Sequence, residues 1–152
     1  MKSIGMIALC LMLVLSPNGF GQLEEAEKTL VTDFIIKFLD AEKARDLDMV
    51  ARYIALDFVQ VSEEQENPDP TLDRDQYMEY IARWLMNAQF YDYNLDVRDI
   101  YRLPNGEGYG VATDMQEMYV ADGEYVRETY PLVLFVRNTQ DGFKLFRLVI
   151  KD

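Results

Sequence analysis

Three turn dipeptides decide what this chain can fold into. Between Phe90 and Ile150, four runs rich in Tyr, Val, Leu and Phe are separated by Asn105-Gly106, Asp122-Gly123 and Asp141-Gly142. A two-residue type I′ turn needs positive φ at both positions, which Asn or Asp tolerates and Gly takes without strain. Each dipeptide therefore predicts a hairpin, and three in succession predict a four-stranded antiparallel meander. Such a sheet must bury one face, and the material available to cover it lies upstream.

That upstream material reads as helical. Over residues 23–44, Leu23, Ala26, Leu30, Phe34, Phe38 and Ala41 recur every three or four positions, and Val31, Ile35, Ile36 and Leu39 widen the stripe. A helix apolar around so much of its circumference is covered on more than one side. Asp46 is placed to cap a second, shorter helix with Leu47, Val50, Ala51 and Ile54 facing inward. Phe58-Val59-Gln60-Val61 predicts a short strand. Asp73 and Gln76 form a capping-box start for a third helix carrying Tyr77, Tyr80, Ile81, Trp84, Leu85 and Ala88 at helical spacing. The expected architecture is α+β: a bent antiparallel sheet, made chiefly by the C-terminal meander, covered by three N-terminal helices.

Residues 1–21 stand apart from this domain. Lys2 precedes an uninterrupted small or apolar run from Ile4 to Leu15, and Ser16-Pro17-Asn18 breaks it ahead of Gly19-Phe20-Gly21. Small residues at −3 and −1 fit cleavage of a signal peptide before Gln22, which predicts an exported, periplasmic or extracellular chain. The apolar run is short of the roughly 20 residues a spanning helix needs, so no membrane attachment is expected after cleavage. The domain that follows, residues 22–152, has a one-domain length.

Composition removes whole classes of chemistry. There is no His, the one Cys lies in the leader, and Ser62 is the only serine after the cleavage point. Zinc sites of the usual kind, thiol nucleophiles and imidazole-based triads are excluded, and no cofactor or metal is expected. The formal charge of −12 argues against nucleic acid and anionic membrane as partners, since both are held by Lys and Arg neutralising phosphate. Residues 62–75 concentrate Glu63, Glu64, Glu66, Asp69, Asp73 and Asp75 with Pro68 and Pro70. The segment lacks the alternating acid spacing and central Gly of a calcium loop, so it reads as a stiff, solvated excursion that could act as a lid.

Two-residue turns would fix the registers by arithmetic. Val97 would lie opposite Asp114 and Leu95 opposite Gln116. Asp114 would face Pro131, Gln116 Thr129, and Met118 Arg127, while Val133 would face Ile150 and Phe135 Leu148. Because side chains alternate between faces, one face would then collect Tyr91, Tyr93, Leu95, Val97, Asp99, Asp114, Gln116, Met118, Arg127, Thr129, Val133, Phe135, Leu148 and Ile150. This is the face expected to be buried. The other carries Glu117 and Glu128, directly opposite each other, which suits solvent. Within the inward set Asp114, Gln116, Arg127 and Thr129 cluster, with Asp99 one strand away. Burying them requires partners. They form either a self-satisfied network or the polar floor of an apolar pocket also lined by Tyr77, Tyr80, Trp84 and Tyr93. A single bulge would invert part of the assignment.

The order of a long helix, a short helix with Asp46-Leu47-Asp48, a strand at Phe58 to Val61, a Tyr/Trp helix and a long meander ending Arg137-Asn138-Thr139-Gln140-Asp141-Gly142-Phe143-Lys144-Leu145 resembles the nuclear transport factor 2-like superfamily, in particular its SnoaL-like and ketosteroid-isomerase-like members. The resemblance implies a cone-shaped α+β barrel with an internal cavity, in which some members isomerise, cyclise, dehydrate or hydrolyse small apolar substrates. Laid against the isomerases, the oxyanion Tyr falls on Phe38 and the general-base Asp near Ser62, with Glu63 adjacent. A Phe cannot donate the hydrogen bond an enolate needs. An arrangement resembling that of the epoxide hydrolases would use Asp99, Arg127 and Asp114 as the catalytic set.

Three functions are therefore open: a pocket for a small, largely apolar molecule; a carboxylate-dependent enzyme of the same fold, with a raised pKa on Asp114 or Glu63; and a homodimeric interaction module using the outer sheet face, where Val111, Leu132 and Leu134 are expected.

Overall fold

The helices form where periodicity and caps put them. A computed structural model describes residues 23–63 and 71–151; the leader at 1–21 and most of the acidic loop lie outside the described residues. Helix α1 spans Glu25–Lys43, α2 Leu47–Tyr53 and α3 Arg74–Asn87. The Asp46 carboxylate accepts from the Met49 amide at 3.0 Å, and Asp73 and Gln76 exchange the two bonds of a capping box, so orphan amides at both helix starts are satisfied. Strands β1 (Ile54–Glu63), β2 (Leu72–Asp73), β3 (Phe90–Arg102), β4 (Tyr109–Ala121), β5 (Glu124–Thr139) and β6 (Gly142–Lys151) form one sheet in the order β2-β1-β6-β5-β4-β3. The meander is antiparallel as expected. Strand β1 adds to its β6 edge in parallel, so the six-stranded sheet is mixed, and it does not close.

The three turns differ. Asp122-Gly123 is a two-residue turn with φ of 53° and 81°, as type I′ geometry demands. The last turn uses Gln140-Asp141, one residue earlier than expected, and Gly142 opens β6 opposite Thr139. Around Asn105-Gly106 the chain makes a six-residue loop between Arg102 and Tyr109, closed by the Leu103 amide donating to the Gly108 carbonyl at 2.9 Å.

Register decides the faces. Between β4 and β5 the pairing is the expected one: Asp114 with Pro131, Gln116 with Thr129, Met118 with Arg127. Between β3 and β4 it is not. Arg98 is an unpaired bulge residue, so Val97 lies opposite Thr113 instead of Asp114, and Leu95 opposite Met115 instead of Gln116. A second bulge at Phe146 sets Phe135 opposite Arg147 and Leu132 opposite Ile150. One extra residue exchanges the two faces of everything beyond it.

The first half of β3 therefore faces the helices as expected, but β4 and β5 present the opposite set. Val111, Thr113, Leu134 and Val136 are fully enclosed, with Met115 and Leu132 beside them. The expectation that Asp114, Gln116, Arg127 and Thr129 point inward is corrected: they lie on the outer face, with Asp114 beside Arg98 at 3.2 Å and the Gln116 amide donating to the Thr129 hydroxyl at 3.3 Å. Val111, Leu132 and Leu134, expected on the outer face as interface residues, belong to the core. Phe135 and Phe146 are outside, each ring covered by a guanidinium, that of Arg147 at 5.6 Å and that of Arg137 at 4.9 Å.

Helix α1 lies against β3 and α3 against β1, on the inner face. Burying Phe34, Ile35, Phe38, Leu39, Phe58, Ile81, Leu85, Leu134 and Leu145 between these layers supplies the main driving force for the fold. Between α1, α3 and the middle of the sheet the layers do not meet completely.

Candidate functional site

A cavity of about 180 Å³ occupies that gap. Its walls follow from two helical stripes and two strand alternations. On α1, the spacing that buries Val31, Ile35, Phe38 and Leu39 continues to Glu42, which reaches the cavity at the end of the apolar stripe. On α3, Tyr77, Tyr80, Ile81, Trp84 and Leu85 share a face for the same reason. The inner alternation of β4 supplies Met115, Glu117 and Tyr119. That of β5 supplies Glu128, Tyr130, Leu132 and Leu134, with Leu148, Ile150 and Gln60 at the far side. Tyr80 and Glu128 are exposed and mark where the cavity meets solvent; Phe38 and Glu42 are at its enclosed end.

Two carboxyl groups dominate the interior. Glu42 is only 6% exposed, and its Oε1 accepts from the Tyr77 hydroxyl at 2.9 Å. Burial pushes its pKa up to about 8, the Tyr77 bond opposing and the charge of Glu117 adding to the rise. Near neutrality Glu42 therefore holds its proton. Glu117, opposite Glu128 across the β4–β5 ladder, accepts from the Tyr91 hydroxyl at 3.0 Å. Burial raises it too, the Tyr130 and Tyr91 hydroxyls pull it back, and Glu128 pushes it up again.

The tyrosines report the same field. Burial, reinforced by the carboxylates, raises the pKa of Tyr77, Tyr80, Tyr91, Tyr119 and Tyr130. None of the cavity's lining residues is a Lys or Arg. Trp84 meets Tyr91 edge-on at 4.8 Å and Tyr119 at 5.3 Å, so three aromatic rings brace one wall. The arrangement combines an apolar enclosure, a protonated carboxylic acid and a second carboxyl of raised pKa.

Of the residues expected to form a site, Tyr77, Tyr80 and Trp84 line this cavity. Tyr93 does not: its hydroxyl donates to Asp40 at 2.8 Å and holds α1 against β3. Asp99 is exposed beside the β3 bulge, while Asp114, Gln116, Arg127 and Thr129 are on the far side of the sheet, so the structure does not assemble the Asp99, Arg127 and Asp114 set around the cavity. The residues that do converge, Glu42, Glu117, Glu128, Tyr119 and Tyr130, carried a signal in the sequence. Val111, Leu132, Leu134 and Val136 formed an apolar alternation on the same parity as Glu117 and Glu128, and Glu42 lies four residues after Phe38 on the α1 stripe.

No protein-family model and no curated protein matches the sequence. Solved structures do match the fold. A candidate aromatic ring hydroxylase of Novosphingobium aromaticivorans superposes with a TM-score of 0.73 at 19% identity, covering 86% of this chain and 91% of that one. A ketosteroid isomerase-like protein of Erwinia carotovora atroseptica gives 0.67 at 14% identity, covering 84% and 97%. An NTF2-like protein of Cytophaga hutchinsonii gives 0.63 at 9%, covering 85% and 98%. These superpositions span most of each chain, and with three helices over an open mixed sheet the chain has the nuclear transport factor 2-like fold.

Proposed function

We propose that this chain, exported after cleavage before Gln22, binds a small, largely apolar molecule in the cavity between α1, α3 and the sheet. The observation that carries the reading is the lining itself: aliphatic and aromatic side chains enclose the space, and a few polar groups, chiefly Glu42 and Glu117, converge on it. That is the composition by which small-molecule sites gain affinity from apolar contact and orientation from a few hydrogen bonds. Trp84 is the chain's single tryptophan, so its fluorescence reports the site. Titrating the full-length chain with a panel of small apolar molecules is expected to change that fluorescence and raise the melting temperature for at least one. A panel that moves neither, with the cavity closed by side chains in a crystal, overturns the proposal.

A second reading, an acid–base enzyme of the same fold, is favoured by one observation. Glu42 and Glu117 both have raised pKa values and each accepts from a tyrosine hydroxyl in one enclosure. In this reading Glu42 donates a proton to a substrate oxygen while Glu117 removes one from carbon or water, the division of labour that isomerisation or epoxide opening requires. Glu42→Gln and Glu117→Gln would each abolish turnover and leave binding within a few-fold. Turnover unaffected by both would exclude it.

A further inference from the structure

The cavity has an electrostatic bias that its apolar lining conceals. Every ionisable group facing it carries or can carry negative charge: Glu42 from α1, Tyr77 and Tyr80 from α3, Glu117 and Tyr119 from β4, Glu128 and Tyr130 from β5. Among the described residues its lining contains no basic side chain to balance them. Of the cations on neighbouring elements, Lys43 lies 2.7 Å from Asp92, Arg83 3.2 Å from Glu79, and Arg98 3.2 Å from Asp114 on the far face. Enclosing ionised carboxylates without a cation is costly, and the 6% exposed Glu42 has the Tyr77 hydroxyl, not a cation, as its partner. The ring system of Trp84, Tyr119 and Tyr91, meeting edge to face, lies beside Glu117.

We infer that the molecule this cavity takes is an organic cation, an alkyl amine or quaternary ammonium, whose charged centre lies against Glu117 and the Trp84–Tyr119 wall. The inference rests on the binding role proposed above and names the ligand's class. Aromatic faces attract a cation through their quadrupole, and the attraction grows when the cation is desolvated beside a carboxylate. The alkyl part of the ligand then occupies the space among Phe38, Leu134 and Leu148. A neutral ligand would leave Glu117 with only the Tyr91 and Tyr130 hydroxyls to offset its burial; a cation supplies the missing charge. The Glu117 carboxylate must be ionised to bind, so binding releases a proton where that group is otherwise protonated, and affinity rises with pH.

The test compares choline with 3,3-dimethylbutan-1-ol, which has the same shape without the charge, on the purified full-length chain, read by Trp84 fluorescence and calorimetry. Choline is expected to bind about tenfold or more tightly than the alcohol, with affinity increasing from pH 5 to pH 8 and with proton release in buffers of different ionisation enthalpy. Glu117→Gln is expected to lose that preference while keeping its circular dichroism spectrum, and Asp114→Asn, on the other face, to keep it. Equal or tighter binding of the alcohol overturns the inference and leaves the binding role standing. Binding of neither probe overturns the inference, and the apolar panel then judges the binding role separately. A choline preference that survives Glu117→Gln, Glu42→Gln and Trp84→Leu alike also overturns it, because the cation would be bound elsewhere.

Discussion

The Tyr77 hydroxyl donates to Oε1 of Glu42 at 2.9 Å, joining α3 to α1 at the enclosed end of the cavity. The bond does not compensate fully for burial, which holds the Glu42 pKa at about 8 against an ordinary 4.5. The unfolded chain releases this proton as pH rises past 4.5, while the folded chain keeps it until about 8, so the folded state binds more protons across that window. Stability is therefore full below 4.5 and falls as pH rises to about 8. At about 1.4 kcal/mol per pH unit the loss is roughly 5 kcal/mol, with Glu117 acting in the same direction. Glu42→Gln, which still accepts from Tyr77, should flatten the curve and make the protein more stable than wild type by several kcal/mol at pH 8. Urea denaturation at pH 5 and pH 8 measures this; an unchanged pH slope in the variant would contradict it.

Tyr91 has a different effect on Glu117. Its hydroxyl donates at 3.0 Å and favours the ionised carboxylate, so Tyr91→Phe removes a restraint on a pKa that burial has already raised. The Glu117 titration, followed by carboxyl-carbon NMR, should move upward. The ring remains, so the edge contact with Trp84 at 4.8 Å and the fold should be retained. A downward movement would mean that Tyr91 is not a donor to this group.

Much of this was readable in the sequence, because element type depends on local patterns. Asp46, Asp73 and Gln76 cap helices as their spacing requires, and Asp122-Gly123 makes its turn and fixes the β4–β5 register, Glu117 opposite Glu128 included. Face assignment depends on whether a strand contains a bulge, and Arg98 and Phe146 have no composition that marks them as unpaired. The order of elements therefore survived and the polar floor did not. The apolar set Val111, Leu132, Leu134 and Val136 was the better guide, because burying four aliphatic side chains is worth more than any network the polar set of the other parity could make. Glu42 is the least legible of the site residues, because a single Glu at the end of a helix is ordinarily solvated.

The face assignment can be tested energetically with one substitution on each side. Leu134 is fully enclosed, so Leu134→Ala should cost about 2 to 5 kcal/mol. Asp114 is partly exposed and its ion pair with Arg98 is solvated, so Asp114→Ala should cost less than about 1 kcal/mol. Comparable costs measured by chemical denaturation would argue that the inner and outer alternations of β4 and β5 are not as described.

The bulge itself makes the sharpest prediction. Arg98 is the residue that lets Tyr91, Leu95 and Val97 face the helices on one side of it while Ile100 faces them on the other. Arg98→Ala keeps the extra residue and loses a half-exposed ion pair and a long 3.4 Å bond to the Thr113 carbonyl, so it should cost about 1 kcal/mol or less. Deleting Arg98 removes the extra residue and turns the first half of β3 over, taking Tyr91 away from Glu117 and Trp84, and should cost about 3 kcal/mol or more. The deletion should also shift Trp84 fluorescence, since the indole loses an enclosing ring. A deletion no more harmful than the alanine substitution would mean that β3 can slide along β4 by one residue without penalty, in which case its register is not what orients the cavity.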